Sequence, residues 1–171
     1  MNIFVMFLLV YPAMIVTHEL GHYLAAIWIG AKVKEVCFGA GCAIHSWMMS
    51  GTIFTVRLFP VSGYTMMKPE PENCRRRVER RKIFCRKPLG KRILVYTAGS
   101  AANILCGAAI KAVLIALPGI GFAYELRYTM HVFLMAGVWN LVPLPKTDGE
   151  RIFELIVEGI FCSMKENKGS C

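Results

Sequence analysis

Three long apolar runs, each followed by a polar stretch, set the pattern of this chain. Residues 3–29 are apolar except for Thr17, His18, Glu19 and His22, residues 93–117 form a second run ending at Pro118 and Gly119, and residues 128–144 form a third. At a rise of about 1.5 Å per residue, runs of this length suit helices crossing a hydrocarbon layer about 30 Å thick. The pattern predicts three crossings. The first run lacks a basic leading region and outlasts a short apolar core, so it reads as a span rather than a cleaved signal peptide. Between the first two runs, residues 36–44 and 52–59 are rich in β-branched and aromatic side chains and are separated by a turn at Ser50-Gly51. This predicts a β-hairpin. After the third run, Ile152, Phe153, Leu155, Ile156, Ile160 and Phe161 recur at helical spacing among Glu150, Glu154 and Glu158. They predict an amphipathic helix lying along the membrane face.

Composition agrees with a membrane protein. Of 171 residues 56% are hydrophobic and 18% charged, too apolar for an ordinary soluble domain of this size. No repeat or linker divides the chain, which predicts one membrane-embedded domain over residues 1–171. The net charge of +9 is unevenly spread: residues 1–31 hold no Lys or Arg, whereas a dense basic block lies between Lys68 and Arg92. A cationic loop between two spans belongs on the cytoplasmic side, so nucleic acid is not an expected partner. The same rule puts the N-terminus outside and the tail after Asp148 inside, making the chain a multi-pass protein. The seven cysteines include no CxxC pair and read mostly as reduced thiols.

The polar interruption of the first run carries chemistry. His18-Glu19-Leu20-Gly21-His22 is HExxH, and on a helix residues four apart differ by about 40° of rotation, so both imidazoles leave one face and can share an ion. Glu19 beside them is suited to take a proton from an attacking water. Ionisable groups inside an apolar span are costly and mark a functional site. A catalytic zinc site needs a third protein ligand and an open fourth position. Glu70, Glu72 and Glu79 in the polar loop are candidates, as is Asp148 at the inner end of the third run. Depth favours Asp148, because His18 lies about 24 Å and Asp148 about 30 Å along helices entering from the same side. Pro143 and Pro145 break regular helix there, which a membrane tolerates only where protein or a water-filled cavity satisfies the freed backbone.

His18 to His22, together with Asn140-Leu-Val-Pro143-Leu-Pro145-Lys-Thr-Asp148-Gly149, resembles the paired signatures of the site-2 protease family of intramembrane metalloproteases. Similarity extends to Phe38-Gly39, to Phe59 through Tyr64 and to Ala98 through Asn103. The resemblance implies an α-helical membrane protein with a three-transmembrane-helix catalytic core and a membrane-associated β-hairpin that holds substrate as an added strand. It implies Zn²⁺ bound by His18, His22 and Asp148, with Glu19 as catalytic base. The activity implied is cleavage in or near transmembrane segments of membrane-anchored regulatory proteins, in a bacterial cytoplasmic membrane with the active site toward the cytoplasm. Asn140 is expected beside the cleft, and Thr55, Val56 and Arg57 of the hairpin are expected substrate contacts, although a merely structural hairpin stays open.

The pattern departs from the family at Thr147, Ser100 and Ser62, and the outer turn between the second and third runs has no room for a PDZ domain. Expected partners are a membrane-protein substrate and the lipid bilayer, with a homo-oligomer left open. Two other functions also stay open: a silent adaptor with structural metal, and a membrane-anchored protease acting on soluble proteins.

Overall fold

The computed structural model describes residues 3–68 and 84–168. Most of the basic block, including residues 75–82, and the candidate ligands Glu70, Glu72 and Glu79 lie outside the described residues. Among the described residues, four helices and a hairpin follow one another: α1 (Ile3–Trp28), β1 (Val33–Met49), β2 (Thr52–Met67), a 3-10 turn at Phe84–Arg86, α2 (Leu89–Ala116), α3 (Ala123–Leu141) and α4 (Asp148–Lys168). Among the described residues, α2 is the one helix that is long and apolar enough to cross a membrane by length and composition.

Helix α1 ends where the chain can turn left-handed. Gly30 has φ +69°, and the Ala31 N–H reaches back to the Ala26 carbonyl at 2.8 Å, a Schellman closure. Lys87 donates its Nζ to the Ile29 carbonyl at 2.7 Å, satisfying another helix-end acceptor. The next helices pack through small residues. A Cβ at Gly21 would lie 2.6 Å from the Ala98 carbonyl oxygen and 2.9 Å from the Gly99 Cα, so α1 and α2 meet backbone to backbone. Gly107 and Gly137 play the same part between α2 and α3, against Leu134 and the Ser100 carbonyl. Close approach of this kind is how helices associate where no water drives them together. Their outward faces expose Leu24, Leu105, Ile115, Met135 and Val138.

Helix α3 stops at Leu141, short of the run that the apolar pattern extends to residue 144. Pro143 has no N–H to donate, and the residue before it is pushed to extended geometry, as Val142 shows with φ −71° and ψ 133°. Asp148 therefore opens a new helix instead of ending the third run.

The hairpin is longer than expected and is bent. At its tip residues 43–49 pair antiparallel with 52–57, from Ala43 opposite Arg57 to Met49 opposite Thr52. At its base residues 33–38 pair antiparallel with 63–67, from Val33 opposite Met67 to Phe38 opposite Gly63. The same 33–38 run also lies beside 53–56, with Glu35 opposite Ile53 and Phe38 opposite Val56. Both strands thus double back, and the sheet runs across as 63–67, 33–38, 53–56 and 43–49. The bend requires glycine: Gly39 has φ +103°, and a Cβ there would sit 2.9 Å from the Phe59 carbonyl oxygen. The base of the sheet is anchored by a core in which Val33, Val36 and Phe54 meet Tyr23 and Ala26 of α1 and Val95 of α2.

Candidate metal centre

Helix α1 presents His18 and His22 on one face, and their Nε2 atoms lie 3.1 Å apart. Asp148 Oδ2 approaches them at 3.1 Å and 3.2 Å. Each element contributes to this meeting. His22 fits only because position 99 is glycine, since a Cβ there would collide with the His22 imidazole. Asp148 is aimed by the first turn of α4, whose next residue, Gly149, is packed against the Leu141 and Val142 carbonyls.

Thr147 caps that turn. Its Oγ1 accepts from the Glu150 N–H at 3.3 Å, and the Glu150 carboxylate accepts from the Lys146 N–H at 2.8 Å, a variant of the capping box. Lys146 takes the tight turn into the cap with φ +71°. Thr147 figured in the sequence only as a departure from a family pattern. The Thr-x-x-Glu spacing ahead of a helical run was the signal for its role.

The arrangement asks for a cation. His22 Nδ1 lies 2.7 Å from the Val95 carbonyl oxygen, which can only accept, so Nδ1 carries a proton and, when the ring is neutral, Nε2 presents a lone pair. That lone pair faces a carboxylate oxygen and a second imidazole nitrogen across gaps of 3.1–3.2 Å. With both Nε2 atoms unprotonated, three acceptors converge here, and they repel one another unless a positive charge sits among them. A tetrahedral ion with bonds of about 2.0–2.2 Å spaces its donors about 3.3–3.6 Å apart. The observed triangle, at 3.1–3.2 Å a side, is slightly tighter than this, and the three groups are close enough to share one ion. It consists of two nitrogens and one carboxylate oxygen, a donor set suited to zinc.

Glu19 is buried beside the triad, with 5% of its surface exposed. One carboxylate oxygen, Oε2, accepts from the Thr65 hydroxyl at 2.7 Å. These groups open on a cavity of about 590 Å³, also lined by Asn140 and by residues 61–65 of β2. Thr55, Val56 and Arg57 do not line this cavity. Thr55 is buried and donates to Glu35 Oε1 at 2.9 Å, while Arg57 donates to Cys37 Sγ at 3.0 Å and to the Gly41 carbonyl at 2.9 Å. The bend of β2 carries the chain from the sheet interior at 53–56 to the cleft at 61–65. Asn103 is fully buried, and neither of its amide atoms has a hydrogen-bond partner among the described residues.

Comparison with known proteins gives the same picture from another side. A Thermotoga maritima protein named as a candidate zinc metalloprotease is 37% identical over 124 residues, covering 69% of this chain and 25% of that protein. A Xylella fastidiosa protein with the same kind of name is 29% identical over 143 residues, 83% of this chain and 32% of that protein. The regulator of sigma-W protease RasP of Bacillus subtilis is 35% identical over 69 residues, 40% of this chain and 16% of that protein. The chain thus spans between a quarter and a third of the length of the first two relatives. Residues 6–135 match peptidase family M50, a stretch that takes in the HExxH helix and stops short of Asp148. With most of its length matched and both histidines of the HExxH helix turned onto a distant carboxylate, this chain belongs to peptidase family M50.

Proposed function

We propose that the protein is a zinc-dependent intramembrane endopeptidase that hydrolyses peptide bonds in or near transmembrane segments of membrane-anchored regulatory proteins. The observation that carries this reading is the convergence of His18, His22 and Asp148 beside a buried glutamate in one cavity. Zinc held by these three residues supplies Lewis-acid activation of water and polarises the scissile carbonyl. Glu19 takes a proton from the attacking water as its oxygen bonds to the carbonyl carbon. It then delivers that proton to the amine nitrogen as the C–N bond breaks. Asn140, at the cavity wall, is placed to hold the substrate carbonyl with its amide.

An unwound transmembrane segment has backbone groups to satisfy, and a strand edge can satisfy them. The 63–67 run of β2 pairs with 33–38 on one edge, and its other edge has no strand partner among the described residues. We assign substrate docking to this stretch, not to the 55–57 run, where the Thr55 and Arg57 side chains are hydrogen-bonded within the sheet. Helices α1, α2 and α3 form a three-span core, which their exposed apolar faces and glycine crossings support. Helix α4 lies along the inner face of the bilayer, placing the cleft toward the cytoplasm. The relatives' names favour this function over a silent adaptor, and the buried glutamate beside the triad favours hydrolysis over structural metal.

Metal analysis of the purified protein is expected to find one zinc per chain, and none in Asp148→Ala. Stoichiometric zinc in Asp148→Ala would remove Asp148 from the site and reopen the search for the third ligand.

A further inference from the structure

Resting on Glu19 as the base, we infer that Thr65 is a positioning residue that holds the base in line through its hydroxyl. A carboxylate at the end of three rotatable bonds turns readily about the last, where the torsional preference is broad. A general base must instead offer one oxygen to the water. Two contacts from the same stretch of β2 restrict Glu19. The Thr65 Oγ1 donates to Glu19 Oε2 at 2.7 Å, a short charge-assisted bond. Gly63 leaves room for the rest of the group, since a Cβ there would lie 2.7 Å from Glu19 Cγ and 2.8 Å from Oε1. One oxygen is thereby committed to the strand, while Oε1 takes no hydrogen bond among the described residues and is left to the water.

The contact also joins two functions. Thr65 sits in the 63–67 run whose unpaired edge is the proposed docking edge, so a substrate strand added there steadies the segment that steadies the base. Nothing local in the sequence marks Thr65. It lies 46 residues from Glu19 and meets it only because the sheet packs against α1.

The test is a kinetic comparison of wild type, Thr65→Val and Thr65→Ser on a membrane-embedded substrate, with zinc content measured alongside. Thr65→Val keeps the shape and removes the hydroxyl. It is expected to lower kcat by roughly 10-fold to 100-fold, the scale of a small misplacement of a reacting group, with KM changed by less than about twofold and zinc retained. Thr65→Ser is expected to restore most of kcat. In metal-free protein, Thr65→Val is expected to lower the thermal midpoint by about 2–4 °C, and by less in a Glu19→Ala background, where the hydroxyl keeps only its 3.3 Å contact with the residue 19 carbonyl oxygen. Wild-type kcat in Thr65→Val, or equal loss in Thr65→Val and Thr65→Ser, overturns the positioning role. Full activity in Glu19→Gln instead overturns the assignment of Glu19 as base, so the two failures are told apart.

Discussion

The helical side and the strand side of the cleft hold their residues by different means. On the helical side, His18, His22 and Asp148 depend on backbone packing: Gly21 lets α1 touch α2, Gly99 makes room for the His22 ring, and Gly149 seats the first turn of α4. On the strand side, Glu19 depends on a side-chain hydrogen bond from Thr65. A backbone contact has no give, because close-packed interiors transmit even a single added carbon. A hydroxyl bond can be removed without moving the chain. The ligands should therefore be lost together when the helices are pushed apart, whereas the base can be weakened with the metal still in place.

The sharpest way to break this contrast is Gly99→Val. The added side chain meets the His22 ring, and overpacking of this kind costs about 1–3 kcal/mol or more. Loss of zinc and of all cleavage is expected, with a lowered thermal midpoint. Retained zinc in a folded Gly99→Val protein would show that the helix crossing is not what positions His22. Next in size is Glu19→Gln, expected to lower kcat by about 10²–10⁴-fold while zinc content stays at the wild-type level. That pairing of lost turnover with kept metal separates the strand side from the helical side. Smallest is Thr147→Val, which removes the cap of the helix that carries Asp148 at a cost of about 1 kcal/mol. A competition assay with a zinc chelator is expected to show affinity weakened by roughly 5-fold to 10-fold, the effect of disturbing an outer support of a ligand. Unchanged affinity would mean that packing of Gly149 alone aims Asp148.

Legibility in the sequence followed range. The HExxH pair could be read directly, because residues four apart on a helix share a face whatever the rest of the chain does. The helix boundaries came within a few residues for α1 and α2. At α3 the apolar pattern overran the true end, since hydropathy does not register the missing N–H of Pro143. The strand positions around 36–44 and 52–59 were also visible as composition, but their fourfold folding was not. Pairing of 33–38 with both 53–56 and 63–67 is a long-range choice, made by which apolar faces pack on α1. For that reason the sequence pointed to Thr55, Val56 and Arg57 within the hairpin, whereas the stretch of β2 that lines the cavity is residues 61–65.

By itself, then, the amino-acid sequence determined what depends on neighbours along the chain: the apolar spans, the twin imidazoles with a glutamate between them, and the proline break before Asp148. The sequence also pointed to Asp148, but only the tertiary structure brings its carboxylate to the two imidazoles, decides which stretch of strand borders the cavity, and makes Thr65 meet Glu19. The physical reason is that helix and turn geometry follow from bonds and torsions a few residues long. Meetings between α1, β2 and α4 follow from packing energies summed over the whole bundle, which no local pattern records.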